Sequence, residues 1–169
     1  MLSIDIRALD SQAAAVAGSL SAEDAVWVEG DIRPREGVFV EGRLSTAGAG
    51  RYYFSGRLSG SLEMPCRRCL KPAEAAVRED LHLLFAETGA EEADDPDVFV
   101  ISPHAPELAL RPAIREQWLL AAPPFLECGE QCRGLRARCG ADLNEGPCDC
   151  PPETDTRWSA LRSLGERTQ

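Results

Sequence analysis

Apolar residues recur at every second position through much of the first half of the chain. Their positions are Leu2, Ile4, Ile6, Val26, Val28, Val38, Val40, Leu44, Tyr52, Phe54, Leu58 and Leu62. A period of two is typical of β-strands that bury one face. Gly48-Ala49-Gly50 interrupts the pattern and predicts a hairpin turn. A further alternating strand is predicted over residues 75–86, and successive strands joined by short turns predict an antiparallel β-sheet meander.

The pattern changes after this strand. Residues 88–106 are rich in Asp, Glu and Pro, which predicts a flexible acidic loop, interrupted by an apolar run at 98–101. A helix is predicted over 108–121, and Pro123-Pro124 ends it. The helix is predicted because its apolar residues fall near one face: Leu110, Ile114, Trp118 and Ala121.

A cysteine-rich segment and a short helix at about 156–164 complete the chain. We predict an α+β fold in which an antiparallel β-rich domain, residues 1–126, precedes a small cysteine-rich zinc-binding module, residues 127–169. A chain of 169 residues is long enough for one such domain with an appended module.

Charge is unevenly distributed along this acidic chain, whose formal net charge is −10. Residues 31–78 contain nine Lys or Arg against five acids, whereas residues 79–107 contain nine acids and no Lys or Arg. The net charge argues against nonspecific binding to nucleic acid, but the basic block could meet a phosphate backbone locally. The alternative interpretation is that both blocks are solvated surface. No apolar run is long enough for a membrane-spanning helix, and we expect a cytoplasmic protein.

The chain contains seven cysteines, an odd number that excludes complete disulfide pairing within one chain. Clustered cysteines in a protein without an export signal favour metal binding. Zinc prefers four tetrahedral ligands, and a Cys-x-x-Cys turn plus a pair from a distant segment completes such a site. The predicted ligands are Cys66, Cys69, Cys128 and Cys132. The alternative is that these residues are reduced thiols, some of them buried.

The remaining cysteines, Cys139, Cys148 and Cys150, form a possible second metal site that is incomplete. Cys139-Gly140 is similar to the second half of a zinc knuckle, but Arg136 stands where the first cysteine of the knuckle would lie. Asp142 or another group could substitute. A different grouping, in which Cys132 joins these three around one ion, also remains possible.

Several short motifs follow one another along the chain. The stretch 66–72 has the pattern Cys-x-Arg-Cys-Leu-x-Pro, and 128–135 has Cys-x3-Cys-x-Gly-Leu. Cys-Gly-x-x-Leu-Asn at 139–144, Cys-x-Cys at 148–150 and a tail at 155–161 follow. This ordered set resembles the YceD family, and the resemblance covers roughly residues 30–165. The chain departs from the family pattern at Arg136, which replaces a cysteine, and at Thr156, which replaces a proline.

The resemblance implies a non-catalytic factor for accumulation of 23S ribosomal RNA, and hence for biogenesis of the large subunit. The implied partner is large-subunit RNA or a pre-ribosomal particle, or else a ribosomal protein. Direct contact with RNA is a hypothesis. Arginine is the expected contact residue because its planar guanidinium group can bind two phosphate oxygens. The candidate residues are Arg67, Arg68, Lys71, Arg133, Arg136 and Arg138.

Two other functions remain open: a zinc-stabilised protein-binding module without RNA contact, and a thiol oxidoreductase that uses Cys66-x-x-Cys69. The second lacks the βαβ setting expected of such a redox motif. The only histidines, His82 and His104, are interpreted as structural or surface residues. The sequence contains neither a phosphate-binding glycine loop nor a serine nucleophile elbow, so we predict no catalytic residues.

Overall fold

A computed structural model describes residues 2–9, 13–103 and 105–150 of the chain. Within these residues the fold is α+β, with one α-helix and a sheet of mostly antiparallel strands, which confirms the predicted class. The elements are β1 Ser3–Asp5, β2 Ala14–Ser21, β3 Gly37–Gly48, β4 Arg51–Pro65, β5 Pro72–Glu87, β6 Val98–Ile101, β7 Glu107–Ala109 and α1 Arg111–Ala121. The helix predicted at 156–164 and the predicted surface residue His104 lie outside the described residues.

The main sheet has the order β2-β3-β4-β5-β6, and its first four strands form the predicted antiparallel meander. The turn predicted at Gly48-Ala49-Gly50 joins β3 to β4. Gly48 and Gly50 have φ angles of 122° and 68°, a region that glycine enters without steric cost. The β4–β5 hairpin is the longest. Its fifteen residue pairs begin with Arg51 opposite Ala86 and end with Pro65 opposite Pro72.

Alternate residues of the meander face one hydrophobic core. The inward side chains are fully or almost fully buried: Val38, Val40, Leu44, Phe54, Leu58, Leu62, Val77, Leu81, Leu83 and Phe85. Each buried side chain of this size stabilises the fold by about 1.5–3 kcal/mol relative to exposure. The period-two pattern of the sequence is therefore the pattern of burial in β3 and β4.

Helix α1 covers the core side of the sheet with its buried residues Ala113, Ile114 and Trp118. A Cβ atom at Gly60 would lie 2.9 Å from the Trp118 ring, so the glycine allows the helix to approach β4 closely. The indole N–H of Trp118 donates to the carbonyl of Ile32 at 2.7 Å, which ties the loop before β3 to the helix.

The structure differs at three points from the secondary structure expected from the sequence. Val26 and Val28 lie in a loop, although they continue the period-two pattern. The apolar run that interrupts the predicted acidic loop 88–106 is itself a strand, β6, which pairs in parallel with β5. The helix begins at Arg111 rather than 108, because 107–109 pair as β7 with β1 instead. The second and third differences reflect strand pairing with another part of the chain, which a local pattern does not specify.

No helix in the part of the chain that the structure describes has the length and apolar character needed to cross a membrane.

Candidate metal centre

The β4–β5 hairpin ends in a tight turn, residues 66–71, which carries the first cysteine pair. The backbone N–H of Cys66 donates to the carbonyl of Lys71 at 2.8 Å, and the N–H of Leu70 donates to the carbonyl of Cys66 at 2.9 Å. Leu70 adopts a φ of 62°, a left-handed conformation that is uncommon for a residue with a side chain. This turn brings the thiols of Cys66 and Cys69 within 4.8 Å of each other.

The chain after α1 returns to this turn. Arg67 donates its backbone N–H to the carbonyl of Leu126 at 2.8 Å. Leu135 donates its backbone N–H to the carbonyl of Arg68 at 2.9 Å. The segment between these two attachments carries the second cysteine pair: Cys128 and Cys132.

The four sulfur atoms of these two pairs, which we call the cysteine quartet, form a compact group. The Sγ atoms of Cys66 and Cys132 are 3.8 Å apart, and those of Cys69 and Cys128 are 3.5 Å apart. All four lie within 4.8 Å of one another, and all but Cys128 are buried. Tetrahedral zinc with a metal–sulfur distance of about 2.3 Å places its ligands about 3.8 Å apart, whereas a disulfide needs about 2.05 Å. The quartet therefore has the spacing of a four-thiolate metal site.

Without a bound cation, the four thiols of the quartet cannot all ionise easily. Burial opposes ionisation of Cys66, but backbone N–H groups, led by that of Cys128, lower its pKa to about 6. The neighbouring thiols, Cys132 most of all, raise the pKa of Cys128 to about 12. Closely packed thiolates repel one another, and a bound cation removes this penalty by holding every ligand deprotonated. Soft thiolate donors favour zinc over magnesium or calcium.

Polar contacts from the C-terminal segment support the quartet. The Asn144 side chain accepts a hydrogen bond from the Arg133 backbone N–H at 2.7 Å and donates to the Cys132 Sγ at 3.7 Å. Lys71 pairs with Asp142 at 2.7 Å and with Glu145 at 3.0 Å. Such contacts orient metal ligands and tune their basicity. The sequence pattern alone assigns no role to Asn144, although this residue lies in the Cys-Gly-x-x-Leu-Asn motif.

The remaining three thiols form a separate group, which we call the cysteine trio: Cys139, Cys148 and Cys150. Their sulfur atoms lie within 4.8 Å of one another; Cys139 is exposed and the other two are half-buried. The backbone N–H of Ala141 lowers the pKa of Cys139, and the nearby guanidinium of Arg136 acts in the same direction. Cys132 lies with the quartet, so the alternative grouping with the trio is not the arrangement in the structure.

Comparison with known proteins bears on this arrangement. The family model described as "Large ribosomal RNA subunit accumulation protein YceD" matches residues 54–165, more than half of the chain. The chain belongs to the YceD family. The match confirms the resemblance from residue 54 onward, and it covers most of β4, all of β5 and α1, and both cysteine groups. Neither the curated proteins nor the solved structures contain a match.

Three of the basic residues considered for RNA contact lie beside acids in this YceD-family chain, although Arg67 and Arg68 share one carboxylate. The Arg67 side chain donates to Glu127 at 2.7 Å and stacks over the Phe125 ring, 4.3 Å from its centroid. Arg68 lies 3.8 Å from the same carboxylate. Lys71 is held by two carboxylates, and hydrogen bonding to Asp142, followed by that to Glu145, raises its pKa.

The other three basic candidates lie in the C-terminal segment: Arg133, Arg136 and Arg138. Arg133 and Arg138 are exposed, and Arg136 is half-buried. Within the described residues, none of their side chains forms an ion pair. In the described part of the chain, these three arginines are thus the basic candidates without an acidic partner.

The basic and acidic blocks of the sequence meet on the surface of the sheet. Arg51 pairs with Glu92, and Arg57 pairs with Asp80 at 2.9 Å. Solvent-exposed pairs of this kind contribute little to stability, about 0–1 kcal/mol each. They do cancel part of the positive charge that the segment 31–78 could offer to a phosphate backbone.

His82 lies on an exposed part of β5, where its Nδ1 is 2.7 Å from the Tyr53 hydroxyl and its ring stacks on the Tyr53 ring. His82 therefore lies at the surface, in a contact with Tyr53 that contains no cysteine. A cysteine–histidine nucleophile pair would need the two side chains within hydrogen-bond reach.

Proposed function

We propose that this chain is a non-catalytic ribosome biogenesis factor required for accumulation of 23S ribosomal RNA, and that it acts in the cytoplasm. The match of most of the cysteine-bearing chain to the YceD family model carries the proposal.

We further propose that zinc bound by the quartet holds the C-terminal segment against the tip of the β4–β5 hairpin. The spacing of the four sulfurs supports this role. The quartet packs with few apolar residues of its own: Ala73, and the partly buried Leu126 and Leu135. A cluster of this size buries too little apolar surface to hold the segment alone, so the metal would supply much of the stabilisation.

The matched variants Cys132→Ser and Cys150→Ser test this proposal in a strain that lacks the native gene. Cys132→Ser should reduce purified zinc from about one ion per chain to nearly none and lower the ratio of 23S to 16S RNA. Cys150→Ser leaves the four quartet thiols intact and should retain about one zinc ion per chain. Elemental analysis and RNA quantification provide the two measurements.

The two parts of the proposal fail in different ways. A parent chain that cannot restore 23S RNA would contradict the biogenesis role. A parent chain that restores it while purified without zinc would contradict only the metal.

For RNA contact, we propose the arginines of the C-terminal segment as the principal residues, with Arg67, Arg68 and Lys71 contributing less because acids already pair with them. An acidic chain repels RNA at long range, so a local patch must supply the attraction. Each phosphate contact contributes roughly one released counterion to the salt dependence of binding.

The double variant Arg133→Gln/Arg138→Gln should weaken co-sedimentation with large-subunit precursors and reduce the salt slope by about two. The control Arg67→Gln/Arg68→Gln should have the smaller effect, provided that both proteins keep their zinc. Crosslinking followed by sequencing would identify the bound RNA. If the parent co-sediments with precursors but crosslinks to no RNA, a ribosomal protein is the contact instead.

A further inference from the structure

The turn at residues 136–141 repeats the backbone hydrogen bonds of the turn at 66–71. In the first turn the N–H of Cys66 donates to the carbonyl of Lys71 at 2.8 Å, and in the second the N–H of Arg136 donates to that of Ala141, also at 2.8 Å. A second hydrogen bond also corresponds, because in each turn the N–H of the fifth residue donates to the carbonyl of the first. It joins Leu70 to Cys66 at 2.9 Å and Gly140 to Arg136 at 2.8 Å.

The two turns also agree at the residue that closes each of them. Leu70 and Gly140 both adopt left-handed conformations, with φ angles of 62° and 72°. An antiparallel bridge between Leu135 and Asp142 flanks the second turn, as the last pair of the β4–β5 hairpin flanks the first. The second turn therefore has the backbone of a metal-binding knuckle.

This correspondence assigns a ligand position to each turn. Cys139 takes the place of Cys69, and Arg136 takes the place of Cys66. Cys148 and Cys150 supply a second pair of thiols to Cys139, as the segment after α1 does in the quartet. The second group thus has three of the four thiols of a complete site.

No other described side chain occupies the fourth position. Cys132 belongs to the quartet, and the carboxylate of Asp142, which was considered as a substitute, is held by Lys71 at 2.7 Å. Within the described residues, the group of potential metal ligands at this place contains only the three thiols of the trio. Their partial exposure leaves the position accessible to solvent.

We propose that the cysteine trio is a second metal site, which binds a thiophilic divalent ion through three thiolates and leaves its fourth position open to a small exogenous ligand. Three protein ligands with an open position are the arrangement of zinc sites that exchange ligands, whereas structural sites are closed by four. The trio should therefore hold zinc more weakly than the quartet and lose it during purification. This inference goes beyond the proposed function and does not depend on it.

Cadmium-113 NMR of the full chain tests the proposal, because the resonance moves upfield when an oxygen ligand replaces sulfur. The parent chain saturated with cadmium should give two resonances, one typical of four thiolates and one of three thiolates with oxygen. A small added thiol should move only the second resonance downfield. Cys139→Ser should remove the second resonance and keep the first.

Arg136→Cys and its control Arg138→Cys show whether Arg136 holds the ligand position. Arg136→Cys should convert the second resonance to a four-thiolate position, make it insensitive to added thiol, and raise zinc in the purified protein from about one to about two per chain. Arg138→Cys adds a thiol at the position equivalent to Arg68, and it should behave as the parent does.

Three results would overturn the proposal. These are a single cadmium resonance at saturation, a second resonance that does not respond to thiol, or equal responses to the two substitutions. None of them concerns the first resonance, which reports the quartet, so the proposed function would stand or fall separately.

Discussion

At the scale of single residues, Gly134 joins the C-terminal segment to the turn that carries Cys66 and Cys69. Its φ is 73°, and a Cβ atom at this position would lie 2.9 Å from the backbone oxygen of Arg68. The same oxygen accepts the hydrogen bond from Leu135 at 2.9 Å. A side chain here would push the two segments apart at the point where they are attached.

Gly134→Ala should therefore destabilise the protein more than Gly140→Ala, and it should speed zinc loss to a chelator. Gly140 has nearly the same φ, 72°, but nothing lies within 4 Å of its Cβ position, so its substitution costs only the left-handed strain of about 1 kcal/mol. Melting temperature and the rate of zinc release measure the two effects. Equal effects of the two substitutions would show that the contact with Arg68 does not matter.

At the scale of elements, two ion pairs attach the loop before β3 to helix α1. Asp31 receives two hydrogen bonds from Arg115, at 2.7 and 2.8 Å, and Asp24 pairs with Arg111. Bidentate pairs of this geometry are stronger than single contacts. The Asp31 side chain is only 7% exposed, and its hydrogen bonds to Arg115 lower its pKa.

The lowered pKa of Asp31 predicts how stability depends on pH. A carboxyl whose pKa is lower in the folded state stabilises that state above its ordinary value of 3.8, and this contribution is lost as the pH falls through the folded-state pKa. Asp31→Asn should therefore lower the melting temperature at pH 7 and have less effect below pH ~3.8. The exposed Asp97 provides the control substitution, Asp97→Asn. If the melting temperature of Asp31→Asn stays below that of the parent by the same amount at every pH, the proposed link between the Asp31 pKa and stability is wrong.

At the scale of the whole molecule, the sheet and the C-terminal segment are stabilised in different ways. The sheet and α1 share one core of buried apolar residues. The segment 126–150 packs against that core through the partly buried Leu126, and its other attachments are the quartet, backbone hydrogen bonds and the ion pairs of the hairpin tip with Glu127, Asp142 and Glu145. Metal removal should therefore release this segment while the sheet stays folded.

Limited trypsin digestion measures this release and tests the predicted division of the chain near residue 126. The zinc-loaded protein should resist cleavage at the arginines of the C-terminal segment, and chelator-treated protein should be cut there first: at Arg133, Arg136 and Arg138. Circular dichroism should show that the strands persist. Simultaneous loss of the strands would instead mean that the metal stabilises the whole chain as one cooperative unit.

The amino-acid sequence by itself determined the features that depend on near neighbours. Alternation through 37–62 placed the inward residues of β3 and β4, because the pleat puts every second side chain on one face. Glycines specified the β3–β4 turn, and the Cys-x-x-Cys spacing identified the turn between β4 and β5. The sequence also shows that Arg136 stands where a zinc knuckle would have its first cysteine, because the motif spans only a few neighbouring residues.

Only the tertiary structure decided which distant groups meet. Strand β6 pairs in parallel with β5, and β1 pairs with β7 about a hundred residues further along the chain. Neither pairing has a signature in the short strands β1, β6 and β7 themselves. Glu127 neutralises Arg67, and Asn144 reaches Cys132, because the chain after α1 folds back on the hairpin tip. The physical reason is that strand pairing and ion pairing depend on packing and proximity, which a single segment does not encode.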